Sequence, residues 1–199
     1  MWTYVIIAVT VGVSVGCFRR VEWFGRLALR PERVVRGGEW WRVVTHGFVH
    51  ADWGHLLVNL FTYWSFGLFV ESAFAGLGFG EWAYLVLYFG GMVMAAVPDV
   101  VRYRRAPWYA SVGASGAVSA VLFTAIFLMP LETILVFGVV PVPGVVFGVV
   151  YLVYCQYMAR RGEGRINHRA HFYGAVFGVV FPAVLEPRLV GLFLGHFWG

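Results

Sequence analysis

The chain has 199 residues, enough for one domain, and 60% of them are hydrophobic while only 13% are charged. A soluble domain carries about 45–50% and about 25%, so the excess apolar surface needs lipid as its solvent. The net charge of +5 comes from 15 basic residues, all arginine, against 10 acidic ones. With so little polar surface, that excess suits anionic headgroups and argues against a nucleic-acid partner.

A membrane-spanning helix needs about 20 mostly apolar residues, and six candidates follow one another. The first covers residues 1–18. It ends in Ser14-Val15-Gly16-Cys17, which is similar to a lipoprotein processing site. No basic region precedes it, and an apolar residue is wanted where Ser14 stands, so it reads as a retained span. The link 19–53 is long and rich in Arg and Trp. Its segment 21–30 mixes aromatic, apolar and basic positions, as in a segment lying in the membrane interface. Spans two and three cover about 54–74 and 82–101. Span four starts near Ser115 and stops at Pro130. At 1.5 Å per residue it reaches about 21 Å, less than the ~30 Å hydrocarbon core. One of its ends must therefore lie inside the membrane. If that is the Ser115 end, Gly113-Ala114 is irregular backbone at depth, tolerated only in a protein-lined or water-filled cavity. Pro141 and Pro143 break the next apolar run, so 131–142 reads as a turn or interfacial piece. Spans five and six cover about 145–158 and 170–185. No soluble domain is expected, and 1–199 reads as a single all-α membrane domain. Cys17 and Cys155 both fall in apolar segments and suggest neither a disulfide framework nor a metal cluster. No cofactor is expected.

With six spans, the starts of spans two, four and six lie on one side of the membrane. They carry His55 and Asn59, then Ser115, then His171. Polar groups at membrane depth are costly and are functional candidates by default. A serine hydroxyl needs a base within about 2.6–3.2 Å, and imidazole titrates in the right range. Gly174 and Gly178 follow His171 at i+3 and i+7, a small-residue stripe that permits close helix approach. Gly116, Ser119 and Ala120 make span four small as well. Unpaired N–H groups at a helix N-terminus favour negative charge, and His55 and Asn59 at i, i+4 add side-chain donors for an oxyanion. No Asp or Glu is placed to orient His171, so a dyad is expected. Each member has a plainer reading. Ser115 and the glycines serve packing, and His171 sits at an interface. His50, His55 and Asn59 form a polar network or a metal site. His46 is structural, and His168 and His196 are loop or terminal residues. The joint pattern favours chemistry.

These residues reach a family. The chain resembles the rhomboid intramembrane serine proteases of bacterial, six-span type. Gly113-Ala114-Ser115-Gly116 matches the Gly-x-Ser-Gly pattern, and Ala170 to Gly178 match Ala-His-x-x-Gly-x-x-x-Gly. Trp41-Arg42, His50, His55 and Asn59 lead into span two at the family's spacing. The resemblance implies Ser115 as nucleophile and His171 as base. It implies an oxyanion hole of His55, Asn59 and backbone N–H groups, here at Gly113 and Ala114. His50 is then a supporting residue, and Trp41-Arg42 holds the first loop. Transmembrane protein substrates are the implied partners, and a prokaryotic inner membrane is the expected location. Many relatives carry an aromatic residue one turn after the serine, stacked on the histidine. Here that position is Ser119, so the expectation is that Tyr173 or a loop tryptophan supports His171, or that the ring is held less firmly.

Arginines are unevenly placed. Fourteen of the fifteen, from Arg19 to Arg42, Arg102 to Arg105 and Arg160 to Arg169, fall in the links after spans one, three and five. The positive-inside rule places those links in the cytoplasm, whereas the resemblance implies an active site that opens outward. Two rivals remain beside the protease. A pseudoprotease would bind client helices without cutting, and intact Ser115 and His171 argue against it. A metalloprotein would use His50, His55 and His171, but no His-Glu-x-x-His motif supports zinc proteolysis. Nothing suggests the paired inverted repeats of a transporter.

Overall fold

The computed structural model describes residues 1–136, 138–162 and 166–198. Arg165, one of the arginines of the fifth link, lies outside them. The helices are α1 (Trp2–Arg19), α2 (Val21–Leu27), α3 (Pro31–Gly37), α4 (Arg42–Thr45), α5 (Trp53–Gly76), α6 (Glu81–Tyr103), α7 (Ser115–Leu128), α8 (Gly144–Arg161), α9 (His168–Leu185) and α10 (Arg188–Trp198). A 3-10 turn covers His46–Phe48, and an antiparallel hairpin pairs β1 (Thr133–Val136) with β2 (Val140–Pro143).

The six long apolar candidates coincide in order with α1, α5, α6, α7, α8 and α9. Three of these, α1, α5 and α6, are long and apolar enough to cross a membrane alone. α9 qualifies together with α10, from which it is bent by 110°. α7 has 14 residues. Two elements depart from the sequence reading. Residues 131–142 are largely a β-hairpin, favoured by their Val-rich, β-branched composition. The segment after Pro187, beyond the six candidates, is a further amphipathic helix that carries His196, expected in a loop or terminus.

α7 is the axis of the bundle. Every residue from Gly116 to Phe127 is buried. A helix apolar on all sides must be enclosed by neighbours, and α5, α6, α8 and α9 supply them. The closest crossing is with α9. A Cβ added at Gly174 would stand 2.1 Å from the Gly116 carbonyl oxygen, and one at Gly178 would stand 2.1 Å from that of Ala120. Only glycine lets these backbones meet. The Thr124 hydroxyl donates to the Gly178 carbonyl at 2.7 Å across the same seam. On the α6 side, Gly116 abuts Ala95 and Gly91 abuts Ala120.

The long first link is folded rather than loose. Arg42 is buried, and its guanidinium donates to the carbonyls of Gly25 (2.9 Å) and Ala28 (2.8 Å) and to the Glu39 carboxylate. Removing it would take this donor from both carbonyls, that of Ala28 buried. Trp41 is exposed, as are Trp23, Trp40 and Trp53, which suits an interfacial belt. Leu29 and Ser111 form a β-bridge through two hydrogen bonds of 2.9 and 3.0 Å. This clamps the link to the segment that enters α7.

Candidate active site

Ser115 is the first residue of α7, and His171 lies in the first turn of α9. The Gly116–Gly174 contact joins the residue after Ser115 to the residue three after His171. Asn167 caps α9, its side-chain oxygen accepting from the Ala170 N–H at 3.0 Å. Asp52 does the same for α5, accepting from the His55 N–H at 2.8 Å. Each helix start that carries a candidate residue is thus fixed by packing or by a cap. No hydrogen bond joins Ser115 to His171 among the described residues. Such bonds are often long before substrate binds.

The segment before Ser115 is held on both sides. The Gly113 N–H donates to the His46 carbonyl at 3.0 Å, and the Ala114 N–H points at His50 Nε2 at 3.5 Å. The two N–H groups expected to serve an oxyanion hole thus already have partners in the loop, a close one for Gly113 and a long one for Ala114. The Ser115 N–H has no acceptor among the described residues, as expected at a helix start. Gly113 itself is obligatory. Its φ is +123°, and a Cβ there would meet the His55 ring at 2.6 Å.

His50 is a structural hub. The Ser14 hydroxyl donates to the Phe48 carbonyl at 2.8 Å, so it accepts from His50 Nδ1 at 2.9 Å. Nε2 is left as the acceptor for Ala114. This tautomer is neutral, and burial, reinforced by the charge of His55, lowers the His50 pKa to about 3. Burial likewise lowers His46 to about 4, against the hydrogen bond from its ring to the Arg42 carbonyl. The rings of His50 and His55 meet edge-on at 4.9 Å. Asn59 is buried, and its amide donates one hydrogen to the His55 carbonyl at 2.8 Å.

His171 is supported from α8. The Tyr151 hydroxyl lies 3.0 Å from His171 Nδ1 and 3.2 Å from Ser119 Oγ, and the two rings are parallel to within 5°. Tyr173, the aromatic expected for this task, is instead exposed. Ser119 leaves room where a larger residue would stand, and a tyrosine of the neighbouring helix fills it. Two further residues escaped the sequence reading. Asp99 on α6 is 1% exposed and accepts from Tyr109 at 2.6 Å and from Asn167. It thereby anchors the cap of α9. A carboxylate within an apolar span was the available signal. His168 is buried at the start of α9 rather than exposed in a loop. A cavity of about 10 Å³, room for one water, opens beside Ser115 against Asp99, Gly113 and Asn167.

Comparison with known proteins shows the family. The Rhomboid domain family matches residues 37–188. Rhomboid-like protein 11, chloroplastic, of Arabidopsis thaliana is 33% identical over 160 residues, covering 74% of this chain and 53% of that protein. The RHOMBOID-like protein 12, mitochondrial, of the same plant is 26% identical over 163 residues, or 73% and 46%. The Rhomboid protease GluP of Bacillus subtilis (strain 168) is 27% identical over 99 residues, or 50% and 18%. The chain spans about half the length of the first two of these relatives. Their names point to plant organelles as well as to a bacterium, so they do not single out a prokaryotic inner membrane. With its family match and its apolar helices, this integral membrane protein belongs to the rhomboid family.

Proposed function

We propose that the protein is a six-span intramembrane serine endopeptidase that cuts peptide bonds in or near transmembrane segments of its substrates. The observation that supports this reading is the Gly116–Gly174 crossing, which packs together the helices that carry Ser115 and His171 near their N-terminal ends. Relatives named as proteases support the reaction class.

The chemistry follows from the donors present. Ser115 Oγ attacks the scissile carbonyl and gives its proton to His171 Nε2. For Nε2 to accept, the ring proton must sit on Nδ1, where the Tyr151 oxygen receives it; the Tyr151 hydroxyl then donates to Ser119. The oxyanion takes hydrogen bonds from the Ser115 N–H, the other hydrogen of the Asn59 amide and the His55 ring. Gly113 and Ala114 shape this hole without donating to it. The imidazolium next protonates the leaving amine, and water hydrolyses the acyl-serine by the reverse proton path. Asp99 orients α9 through Asn167 rather than touching His171, so the site works as a dyad.

The test is cleavage of a panel of reporter transmembrane segments by purified protein in liposomes. Wild type cuts at least one, and Ser115→Ala and His171→Ala cut none while keeping the wild-type melting temperature. Cleavage by a folded Ser115→Ala protein would reject the serine mechanism.

A further inference from the structure

Cys155 of α8 and the pair His168 and His171 of α9 each offer one donor atom, and these atoms all lie within 4.8 Å of one another. The sequence suggested no metal cluster around either cysteine, and the metal-binding alternative drew on His50, which the fold commits to Ser14 and Ala114. The cluster arises because His168 and His171, at i and i+3, share a helix face that meets α8. Cys155 stands one turn after Tyr151 there, and the Tyr151 hydroxyl lies 3.0 Å from His171 Nδ1. Nδ1 is thus the His171 nitrogen on the side of α8, the helix that carries Cys155.

His168 supplies the second, independent observation. It is 6% exposed, and its Nδ1 is buried with no hydrogen-bond partner among the described residues. A buried polar atom is normally paired, and one that is not calls for an explanation. A cation between the two rings and the thiol provides it.

We propose that Cys155, His168 and His171 bind a thiophilic closed-shell cation, Zn²⁺ or Cu⁺, which reversibly switches off the base. One thiolate and two imidazoles suit both ions. Zn²⁺ would keep a fourth position for water, and Cu⁺ would form a neutral three-coordinate complex. Binding releases the thiol proton to solvent. The cation occupies the Nδ1 lone pair of His171 and displaces its hydrogen bond to Tyr151. The single proton of the neutral ring must then sit on Nε2. That removes the lone pair that would accept the Ser115 proton, so attack stops while the fold is kept. The switch rests on the protease reading, but the binding site does not.

The test uses the full chain, reduced, in detergent. Co²⁺ is titrated while the thiolate-to-cobalt charge-transfer band is read, and Zn²⁺ then competes it away. A parallel anaerobic titration with Cu⁺ and a chromophoric chelator tells the two ions apart. Reporter cleavage is followed in the same samples. Wild type should bind one ion and lose cleavage as it does. Cys155→Ser and His168→Ala lie outside the proposed dyad and oxyanion hole and should still cleave. Their metal affinity, and the metal concentration that inhibits them, should each worsen by more than about 10-fold, the lower figure for losing an outer-shell partner. Absence of both the cobalt band and Cu⁺ binding in wild type overturns the site. Inhibition of wild type and both variants at equal metal concentration overturns it too. Binding that leaves wild-type cleavage intact overturns the switch. A metal-free wild type that cuts nothing, yet shows the band, rejects the protease reading and leaves the site standing.

Discussion

Replacing Gly174 tests how the two chemical residues are brought together. In Gly174→Ala the new Cβ would stand 2.1 Å from the Gly116 oxygen and 2.8 Å from its carbonyl carbon, closer than the 3.0 Å below which such contacts essentially never occur. The obstacle is backbone inside a buried helix, so no flexible side chain can swing aside. α7 and α9 must part locally by about 1 Å, and a misplacement of that size can cost about 10² in rate. Overpacking of this kind also costs about 1–3 kcal/mol in stability. Gly174→Val, with two more carbons, should inactivate fully. Gly191→Ala on α10 is the control, because nothing lies within 4 Å of its added Cβ; it should cleave as wild type does. The assay is initial-rate cleavage of a reporter transmembrane segment, paired with thermal unfolding in detergent. Wild-type kcat and melting temperature in Gly174→Ala would refute the close crossing. Ser115 and His171 would then have to meet by a different packing.

Tyr151→Phe keeps the ring and deletes the hydroxyl on His171 Nδ1. A hydrogen bond worth about 1 kcal/mol corresponds to about a 5-fold fall in kcat, with KM unchanged; a lower melting temperature at unaltered kcat would make Tyr151 merely structural. Asn59→Ala should lower kcat by up to about 10²–10³, the usual cost of one oxyanion donor, and less if His55 compensates. An unchanged kcat would remove Asn59 from the hole. Acid should destabilise the protein through His46 and His50. Their folded pKa values are lowered to about 4 and about 3, so the unfolded chain binds protons first as pH falls through about 6.5. Stability is full above that value and declines below it, and equal melting temperatures at about pH 7.5 and about pH 5 would contradict the neutral, buried state of both rings.

Motif spacing made the centre of the candidate site legible. Ser115, His171 and the glycines at 174 and 178 stand out because polar residues and small-residue stripes are rare in apolar spans, and the glycines do form the crossing of α7 and α9. Runs of apolar residues made α1, α5, α6, α7, α8 and α9 readable within a few residues. What the sequence concealed depends on which helix face meets which neighbour. Tyr151 reads as one more aromatic in an apolar run, yet its position opposite Ser119 makes it the partner of His171. His168 looks like a loop residue until α9 is seen to begin with it and to bury it. The N–H groups of Gly113 and Ala114 looked free because their acceptors, the His46 carbonyl and the His50 ring, lie more than 60 residues away in sequence. The hairpin of β1 and β2 and the last helix, α10, are set by local β-branched and amphipathic patterns that a search for spans passes over.

The central claim is that Ser115 is a nucleophile activated by His171. Labelling with a fluorophosphonate probe tests this directly, because the reagent needs an activated hydroxyl and no substrate. Intact-mass and peptide analysis of the treated wild-type protein should show one adduct, on Ser115. Ser115→Ala should show none, and His171→Ala should be labelled far more slowly at the same folded fraction. An adduct on another residue, or labelling of Ser115 at the same rate in His171→Ala, would contradict the dyad.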